Sequence, residues 1–474
     1  MTRKQAVMAG LLLGTTFLMV TDFSVLNVAI PVIGSELGLA VDDWQWIATS
    51  FALTAAGFSL LFGRVADIVG RRRLFLTGIG VLVLSSLVGG LTDHPGVLIA
   101  ARMAQGLATA MATPAALALL TTAYPEGPLR AKVLGLNGVV ISTGFTTGAV
   151  LGGLLTDLIS WRAAFLLNVP IGLVLLVLAP RVLAESRASV RPRLDVWGAV
   201  TVSTGLVCLV VGVTRIGHET LTDPVTLLFL AAAVVLLITF WLVEQRTASP
   251  LVSPAMMRRP TIRGGNLAAF TTVGMQTAVV FLMVLYLQEV LELSAIATGL
   301  ALSVLGAACF FGGMLAPRIA ARFGPRNALL GGLTLQAASA AGLVLSGGSR
   351  GSLAIVLAVL CVGGFGHLVT DVSAMITATS GLPNDEQGLA TGLATMTRQV
   401  AMTVGIPVIS TIATARAQSL RATGTEAADA TLSGVQAGLL ANAAIVLATI
   451  ALVAFLLRTM TSRGRPKAPS RQEA

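Results

Sequence analysis

Residues 63–73 read GRVADIVGRRR and lie between two long apolar runs at 44–62 and 74–91. A second stretch, PRIAARFGPR at residues 317–326, also separates two apolar runs and repeats the pattern of spaced arginines with a late glycine. Each stretch follows the second apolar run of its part of the chain. This weak internal repeat predicts two similar halves, and short basic loops between apolar runs are typical of membrane-spanning helices.

The composition excludes a soluble globular protein. Of 474 residues, 55% are hydrophobic and 11% are charged. Apolar runs of about 18 or more residues, long enough to cross a hydrocarbon core as a helix, recur from end to end. They predict an all-α polytopic membrane protein with fourteen transmembrane helices. The predicted helices cover 7–28, 44–62, 74–91, 96–120, 133–155, 163–183, 196–213, 224–243, 264–287, 296–316, 328–345, 353–378, 389–413 and 435–457.

The basic residues predict the orientation of the chain. The net charge of +10 is spread over short loops rather than over one amphipathic face, so we expect no nucleic-acid partner. With an even number of helices and a cytoplasmic N-terminus, most of the 31 Lys and Arg fall in cytoplasmic segments. We therefore expect both termini in the cytoplasm. Arginine greatly outnumbers lysine and Ala and Gly are abundant, a composition that favours a GC-rich bacterial genome. We therefore expect the inner (plasma) membrane of a bacterium.

Long polar connections divide the predicted helices into three groups. They predict an N-terminal six-helix bundle at 1–185, a two-helix insert with cytoplasmic linkers at 186–262, a C-terminal six-helix bundle at 263–460 and a cytoplasmic tail at 461–474. Two similar bundles that face each other across a central site are a common transporter plan. We expect a monomer.

Two charged side chains of the first half fall well inside predicted helices, away from the helix ends. Asp22 lies in the first helix and Arg102 in the fourth. An ionised carboxylate is costly in the bilayer, so Asp22 should be protonated or paired, and arginine keeps its proton and needs a partner. At about 1.5 Å of rise per residue, both fall in the outer part of their helices and can meet at similar depth. We interpret them as proton-coupling residues; the alternative is a static structural ion pair.

Several stretches resemble motifs of the major facilitator superfamily. The 63–73 loop is similar to its G-x-x-x-D-x-x-G-R-[RK] loop, and RMAQGLATA at 102–110 is similar to R-x-x-Q-G-x-x-x-A. TDFSVLNVAIP at 21–31 and WRAAFLLNVPIG at 161–172 resemble L-D-x-T-V-x-N-V-A-L-P and W-R-W-x-F-x-I-N-x-P-x-G of the fourteen-helix drug:proton antiporter branch. The resemblance implies a major facilitator fold of two six-helix bundles plus two extra helices, working by alternating access.

The resemblance also implies that the 63–73 loop is a conformational latch. Its candidate residues are Gly63, Asp67, Gly70, Arg71 and Arg72. Gly63 would let two helices approach, Gly70 would relieve a tight turn, and Asp67 would pair with arginines or with a helix N-terminus across the cytoplasmic face. The alternative is a basic loop that only fixes topology.

The predicted fifth helix contains Gly144 and Gly148 in a pattern similar to the antiporter motif G-x-x-x-G-P-x-x-G-G. Ala149 stands where that motif has proline, which weakens the inference of a bend and of antiport. Small residues at this spacing let helices pack closely. Together with Asn27 and Gln105, the two glycines are our candidates for lining the substrate cavity.

The second half contributes a titratable pair. His367 and Asp371 stand four residues apart, so they share one face of a helix, and ionisable groups at membrane depth are functional candidates. We count both as proton-coupling candidates. Arg398, in a stretch similar to the family's S-R-Q, has a packing or capping role as its alternative.

These observations predict a proton-coupled secondary transporter that exports small lipophilic drug- or antibiotic-like molecules. Its partners would be protons, the substrate and the lipid bilayer. The chain lacks a G-x-x-x-x-G-K-[ST] loop and a metal-ligand pattern, so we expect no cofactor, no metal and no enzymatic activity. Alternatives are a proton-coupled importer or facilitator of a metabolite on the same fold, a non-transporting membrane sensor or scaffold, and a membrane-embedded enzyme. The sequence does not specify the cargo.

Overall fold

The computed structural model describes residues 3–124, 128–185, 195–216, 222–247, 256–380, 382 and 384–458. Over these ranges the chain forms fifteen α-helices and no β-strand. The helices are α1 (Arg3–Glu36), α2 (Gln45–Val69), α3 (Arg71–Leu91), α4 (Pro95–Ala123), α5 (Pro128–Leu158), α6 (Trp161–Leu166), α7 (Asn168–Val182), α8 (Val196–Ile216), α9 (Pro224–Arg246), α10 (Pro260–Leu285), α11 (Ala295–Phe323), α12 (Pro325–Leu343), α13 (Leu353–Thr379), α14 (Asn384–Arg421) and α15 (Ala427–Leu456). The predicted tail at 461–474 lies outside the described residues.

Most of these helices match the membrane spans predicted from hydropathy. Within the described ranges, eleven segments are long and apolar enough to cross a bilayer. Helices α6 and α7 form one such segment, Trp161–Val182, because only Leu167, itself in a helical conformation, separates them. The all-α, multi-pass architecture is therefore confirmed, while the count of fourteen spans stays a prediction.

The helices pack into two groups with a hairpin beside them. In the first group α1 packs against α5 and α4, and α2 and α3 pack against α4. In the second, α10 packs against α13, α14 and α15, and α12 lies against α13. The hairpin of α8 and α9 contacts α2 through α8 and also reaches α14. The two groups meet along two seams, α5 with α11 and α2 with α14.

The two loops of the internal repeat share a backbone feature. Gly70, between α2 and α3, has φ of 122°, and Gly324, between α11 and α12, has φ of 84°. Residues with a Cβ atom rarely adopt a positive φ. Glycine has none, so at these positions it lets the chain turn sharply between two helices. We call the side of the bundle where α2 meets α3 the Arg71 end, and the side where α5 meets α6 the Trp161 end.

The seam between α5 and α11 depends on close backbone approach. A Cβ atom at Gly299 of α11 would lie 2.2 Å from the carbonyl oxygen of Ala149, a clash that backbone atoms cannot relieve cheaply. Small residues at such a crossing let two helices touch over their main chains. The halves are therefore in tight contact on this side near the Trp161 end.

Candidate functional site

Five polar side chains meet inside the first half. We call them the Asp22 cluster: Asp22 of α1, Ser86 of α3, Arg102 and Gln105 of α4, and Asn168 of α7. Each is at most 2% exposed. The helices that carry them are otherwise strongly apolar, so this is a concentrated polar island in a hydrophobic setting.

Three donors converge on the Asp22 carboxylate. Arg102 Nη1 lies 3.3 Å from Oδ2, and Gln105 Nε2 donates to Oδ1 at 3.1 Å. Asn168 Nδ2 donates to the same Oδ1. A buried carboxylate loses its water shell and is tolerated only when a countercharge and hydrogen bonds replace it. The cluster provides both, so its geometry suits an ionised Asp22.

Ser86 completes the cluster. Its Oγ accepts from Gln105 Nε2 at 2.9 Å and from Asn168 Nδ2 at 3.1 Å, so both amides bridge the serine and the carboxylate. Gln105 Oε1 also accepts from Arg102 Nη1 at 2.8 Å. These cross-links fix the amide orientations, and a change in the charge of Asp22 therefore alters the bonding of every member.

Arg102 has a second set of partners on α2. Its Nε donates to the carbonyl oxygen of Ile47 at 2.9 Å, and its guanidinium lies over the ring of Phe51, 4.5 Å from the centroid. These contacts do not involve Asp22. If Asp22 takes a proton, Arg102 keeps its bonds to α2, while its link to α1 loses the ionic component. Arg102 therefore links α4 both to α1 and to α2.

Sequence reasoning identified part of this cluster. It named Asp22 and Arg102 as a pair, and it named Gln105 as a cavity residue; the structure brings Gln105 into the cluster with them. It did not name Asn168 or Ser86. Asn168 lies in the 161–172 stretch used only for family resemblance, where an intramembrane amide was the available signal. A lone serine in an apolar helix carries no comparable signal.

The other cavity candidates lie in packed surroundings. Asn27 is 5% exposed and donates to the Phe23 carbonyl oxygen at 2.8 Å. Gly144 and Gly148 face α1: a Cβ at Gly148 would come within 2.7 Å of the Cβ of Ser24. Both glycines therefore lie at the α1–α5 contact.

The second half has two separate polar groups. Asp371 of α13 is paired with Arg398 of α14 through Oδ1 and Nε at 2.6 Å, and their side chains are 18% and 23% exposed. His367 Nδ1 lies 3.1 Å from Thr272 Oγ1, which donates to Gln336 Oε1 at 2.7 Å. We call Thr272, Gln336 and His367 the Thr272 cluster. His367 and Asp371 share a helix face but have different partners.

The 63–73 loop is held by the end of α7. The backbone N–H of Arg72 donates to Glu185 Oε1 at 3.1 Å, and Arg73 Nε lies 3.8 Å from Glu185 Oε2. A Cβ at Gly70 would lie 2.7 Å from the same carboxyl group. Glu185 is a partner that the sequence did not indicate. Asp67 is one of the five predicted latch residues, and its side chain lies outside the described part of the structure.

Contacts between the halves cluster at the Trp161 end. The Asp157 carboxylate at the end of α5 accepts from the backbone N–H groups of Ala295 and Ile296, at 3.3 and 2.8 Å, at the start of α11. Gln288 Nε2 donates to the Val28 carbonyl oxygen at 2.8 Å. A carboxylate is favourable at a helix N-terminus. These bonds hold the two halves together at this end.

Among the described residues, no group of three His, Cys, Asp or Glu side chains is arranged to hold a metal ion. The Asp22 cluster instead provides a single carboxylate with a fixed cation. The described partners of this carboxylate are one guanidinium and two amides.

Comparisons with known proteins agree with this architecture. A family model described as Major Facilitator Superfamily matches residues 12–406. The cephamycin export protein of Amycolatopsis lactamdurans is 42% identical over 287 residues, covering 60% of this chain and 59% of that protein. The puromycin resistance protein of Streptomyces alboniger is 34% identical over 457 residues, covering 94% of this chain and 89% of that protein.

Two further comparisons extend this result. The tetracenomycin C resistance and export protein of Streptomyces glaucescens is 31% identical over 401 residues, covering 83% of this chain and 73% of that protein. Among solved structures, an inward-facing, unoccupied bacterial homologue of the human lysosomal transporter Spinster has a TM-score of 0.73 and 15% identity, covering 99% of this chain and 100% of that one. At this identity the likeness concerns the fold alone.

Proposed function

Since the chain belongs to the major facilitator superfamily, and is a multi-pass membrane transporter rather than an enzyme, we propose that it exports small lipophilic, antibiotic-like molecules in exchange for protons. The observation that carries the proposal is the buried Asp22 carboxylate paired with Arg102. Relatives named for cephamycin export, puromycin resistance and tetracenomycin C export support the substrate class.

The proposed cycle uses the two sets of contacts that Arg102 makes. With Asp22 ionised, Arg102 ties α1 to α4; with Asp22 protonated, Arg102 stays on Ile47 and Phe51 of α2. The protonated state is less costly at membrane depth without its partner, so it tolerates α1 moving relative to α4. Proton binding would thereby shift the balance between outward-open and inward-open states.

The proposed alternation needs the Trp161 end to open. The bonds from Asp157 to the start of α11 and from Gln288 to Val28 would have to break for a proton to enter from outside. At the Arg71 end, the 63–73 loop with Gly63, Asp67, Gly70, Arg71 and Arg72 would act as the latch. Its contact with Glu185 supports a role in fixing the first half as one body.

The finer topology belongs to the same proposal. Helices α2, α5 and α12 would join the eleven apolar segments to give fourteen spans. The domains would be those of the sequence analysis, 1–185, 186–262, 263–460 and 461–474, in a monomer. Both termini and the Arg71 end would face the cytoplasm of a bacterium.

Other residues have secondary roles in this proposal. Asp371 and His367 would assist proton movement in the second half. Asn27, Gln105, Gly144 and Gly148 would respond to substrate through the α1 contacts rather than by lining open space, because all are packed against neighbouring helices.

The test uses inside-out vesicles from an efflux-deficient bacterial host that expresses the chain. After respiration has acidified the lumen, we add puromycin, cephamycin C or tetracenomycin C and follow a pH-sensitive dye. Wild-type vesicles should release protons with at least one compound. Asp22→Asn should abolish release, because an amide cannot carry the proton. Because Asp22→Asn leaves Arg102 without its countercharge, the variant must show equal expression and remain folded at the assay temperature.

Asp93→Asn is a matched control for this test. Asp93 is an exposed carboxylate whose partner, Arg162, lies outside the Asp22 cluster. Its loss should leave proton release intact. A compound that is exported uphill by wild type without any proton release, or by Asp22→Asn at the wild-type rate, would rule out the proposed coupling. Accumulation of the compound inside intact cells would favour an importer instead.

A further inference from the structure

A cavity of about 570 Å³ opens at the Arg71 end, between the end of α9 and the start of α10. It is lined by Trp241, Gln245, Met257, Arg258 and Arg263. None of these residues belongs to the Asp22 cluster, the Thr272 cluster or the 63–73 loop. The proposed transport cycle therefore leaves this cavity without a role.

The polar side of the cavity is positively charged. Arg258 and Arg263 are both exposed, and none of the five described residues that line the cavity is acidic. Arg263 Nε is bonded to the carbonyl oxygen of Met257, which orients the guanidinium and leaves both of its Nη groups for a ligand. No described carboxylate forms an ion pair with either arginine. The site therefore selects an anion.

The position of Arg263 strengthens this inference. It lies in the first turn of α10, which begins at Pro260, where the helix dipole disfavours a cation. A bound anion would satisfy both the dipole and the guanidinium. Two parallel N–H groups of an arginine guanidinium can donate to two oxygens of one phosphate group.

The other side of the cavity continues into an apolar stripe on α9. Val234, Ile238 and Trp241 follow the helical spacing that ends at Gln245, and they are 56%, 55% and 37% exposed. Trp241 stands five residues before the end of α9, about 7–8 Å at 1.5 Å per residue, a depth typical of interfacial tryptophan. A ligand that fills the site has an anionic head and a long apolar body.

We propose that the cavity binds one anionic phospholipid, with the phosphate at Arg258 and Arg263 and an acyl chain along Val234, Ile238 and Trp241. The lipid would link the end of α9 to the start of α10, and so connect the insert to the second half. A soluble phosphate would use only the arginines. The inference requires that the chain spans a membrane, and it does not depend on proton coupling.

The test uses the purified full chain in nanodiscs of phosphatidylcholine that contain increasing amounts of brominated phosphatidylglycerol, which quenches nearby tryptophan. Quenching should saturate at low fractions of brominated phosphatidylglycerol but not of brominated phosphatidylcholine. Trp241→Phe should remove most of the saturable component. Arg258→Gln with Arg263→Gln should raise the half-saturating lipid fraction about tenfold, because each arginine near an anionic surface contributes to binding.

Arg318→Gln with Arg322→Gln is the matched control, since both arginines are exposed near the end of α11 and the change in net charge is the same. It should leave the half-saturating fraction within twofold of wild type. An equal effect of both double variants, or equal quenching by the two lipids, would overturn the proposal.

Two further arms complete the test. Arg258→Lys with Arg263→Lys keeps the charge but not the paired N–H donors, so its half-saturating lipid fraction should lie between those of wild type and the glutamine pair. A half-saturating fraction equal to that of wild type would reject phosphate recognition by the two arginines. Inorganic phosphate or glycerophosphoglycerol at millimolar concentration should not relieve the quenching. Full relief would assign the site to a soluble phosphate and reject the lipid.

Discussion

The two halves of the molecule use corresponding helices to bury very different polar groups. In the first half, the first, third and fourth helices contribute four of the five members of the charged Asp22 cluster, which is almost fully buried. In the second half, the first, third and fourth helices contribute the Thr272 cluster, whose central hydrogen bonds are between neutral Thr and Gln groups. The ion pair of the second half, Asp371 with Arg398, lies elsewhere and is partly exposed.

The polar groups of the two halves should therefore differ in how strongly they respond to a proton. A buried charge pair responds strongly to one proton because little solvent is present to compensate. A partly exposed pair is screened, and the hydrogen bonds between Thr272 and Gln336 join uncharged groups. For the proposed coupling, we therefore place the proton-dependent change of helix contacts in the first half.

The largest expected effect comes from breaking the pair in the first half. Arg102→Gln leaves Asp22 buried without its countercharge, and we expect a loss of about 3–5 kcal/mol of stability. Arg398→Gln, at the partly exposed pair, should cost about 1 kcal/mol or less. Thermal unfolding of the purified variants in the same detergent measures both.

The double variant Asp22→Asn with Arg102→Gln provides the control for this comparison. It removes both charges, so it should recover much of the stability lost by Arg102→Gln alone. Equal destabilisation by Arg102→Gln and Arg398→Gln would remove the distinction between the two halves.

A smaller effect is expected at Asp371. Asp371→Asn should lower substrate-dependent proton release roughly fivefold without abolishing it, because the partly exposed Asp371 only assists the Asp22 cluster. The vesicle assay described above measures this. His367→Gln, on the same helix, keeps a polar group that can bond to Thr272 and should change release less than twofold. Complete loss of release in Asp371→Asn would shift the essential proton site to the second half.

The smallest effect concerns the place where the halves touch. Asp157→Asn removes a charge from the start of α11, a contact worth about 0.3–1 kcal/mol. The fraction of molecules open at the Trp161 end should therefore rise about two- to fivefold.

Spin labels measure this opening. With the native cysteines replaced by serine, labels at Leu158→Cys and Leu345→Cys report the separation of the halves, since these positions are 71% and 85% exposed. Asp93→Asn, whose partner Arg162 is in the same half, should leave the distance distribution unchanged. An identical distribution in Asp157→Asn would show that this carboxylate does not hold the end closed.

The fold was predictable because its main determinant is local. Apolar runs predict helices, and the structure has a helix at each predicted position, although most of the helices extend beyond the predicted range at one end or both. The first was predicted at 7–28 and runs over Arg3–Glu36. Hydropathy marks only the lipid-buried part of a helix, whereas hydrogen bonding continues into polar flanks. The break at Leu167 was missed because both sides of it are apolar.

The candidate site was predictable where a residue is costly in the membrane. Asp22 and Arg102 are conspicuous because a charge in an apolar run needs an explanation. Asn168 and Ser86 were missed, since neutral polar side chains are tolerated in helices that bond them to their own backbone. Glu185 was missed for another reason: it lies 113 residues from Arg72, and no local pattern connects them.

Because of the position of the α8–α9 hairpin, the two seams between the halves differ in their exposure to lipid. Ser203 of α8 donates to the Gly57 carbonyl oxygen on α2, and Thr411 of α14 donates to the Val213 carbonyl oxygen on α8 at 3.0 Å. The hairpin therefore covers the seam between α2 and α14. The seam between α5 and α11 carries outward-facing apolar side chains such as Ile141 and Leu300. If the chain exports lipophilic compounds as proposed, a compound dissolved in the bilayer would reach the α5–α11 seam and not the α2–α14 seam. Lateral entry would then require the close helix contact at Gly299 and Ala149 to open.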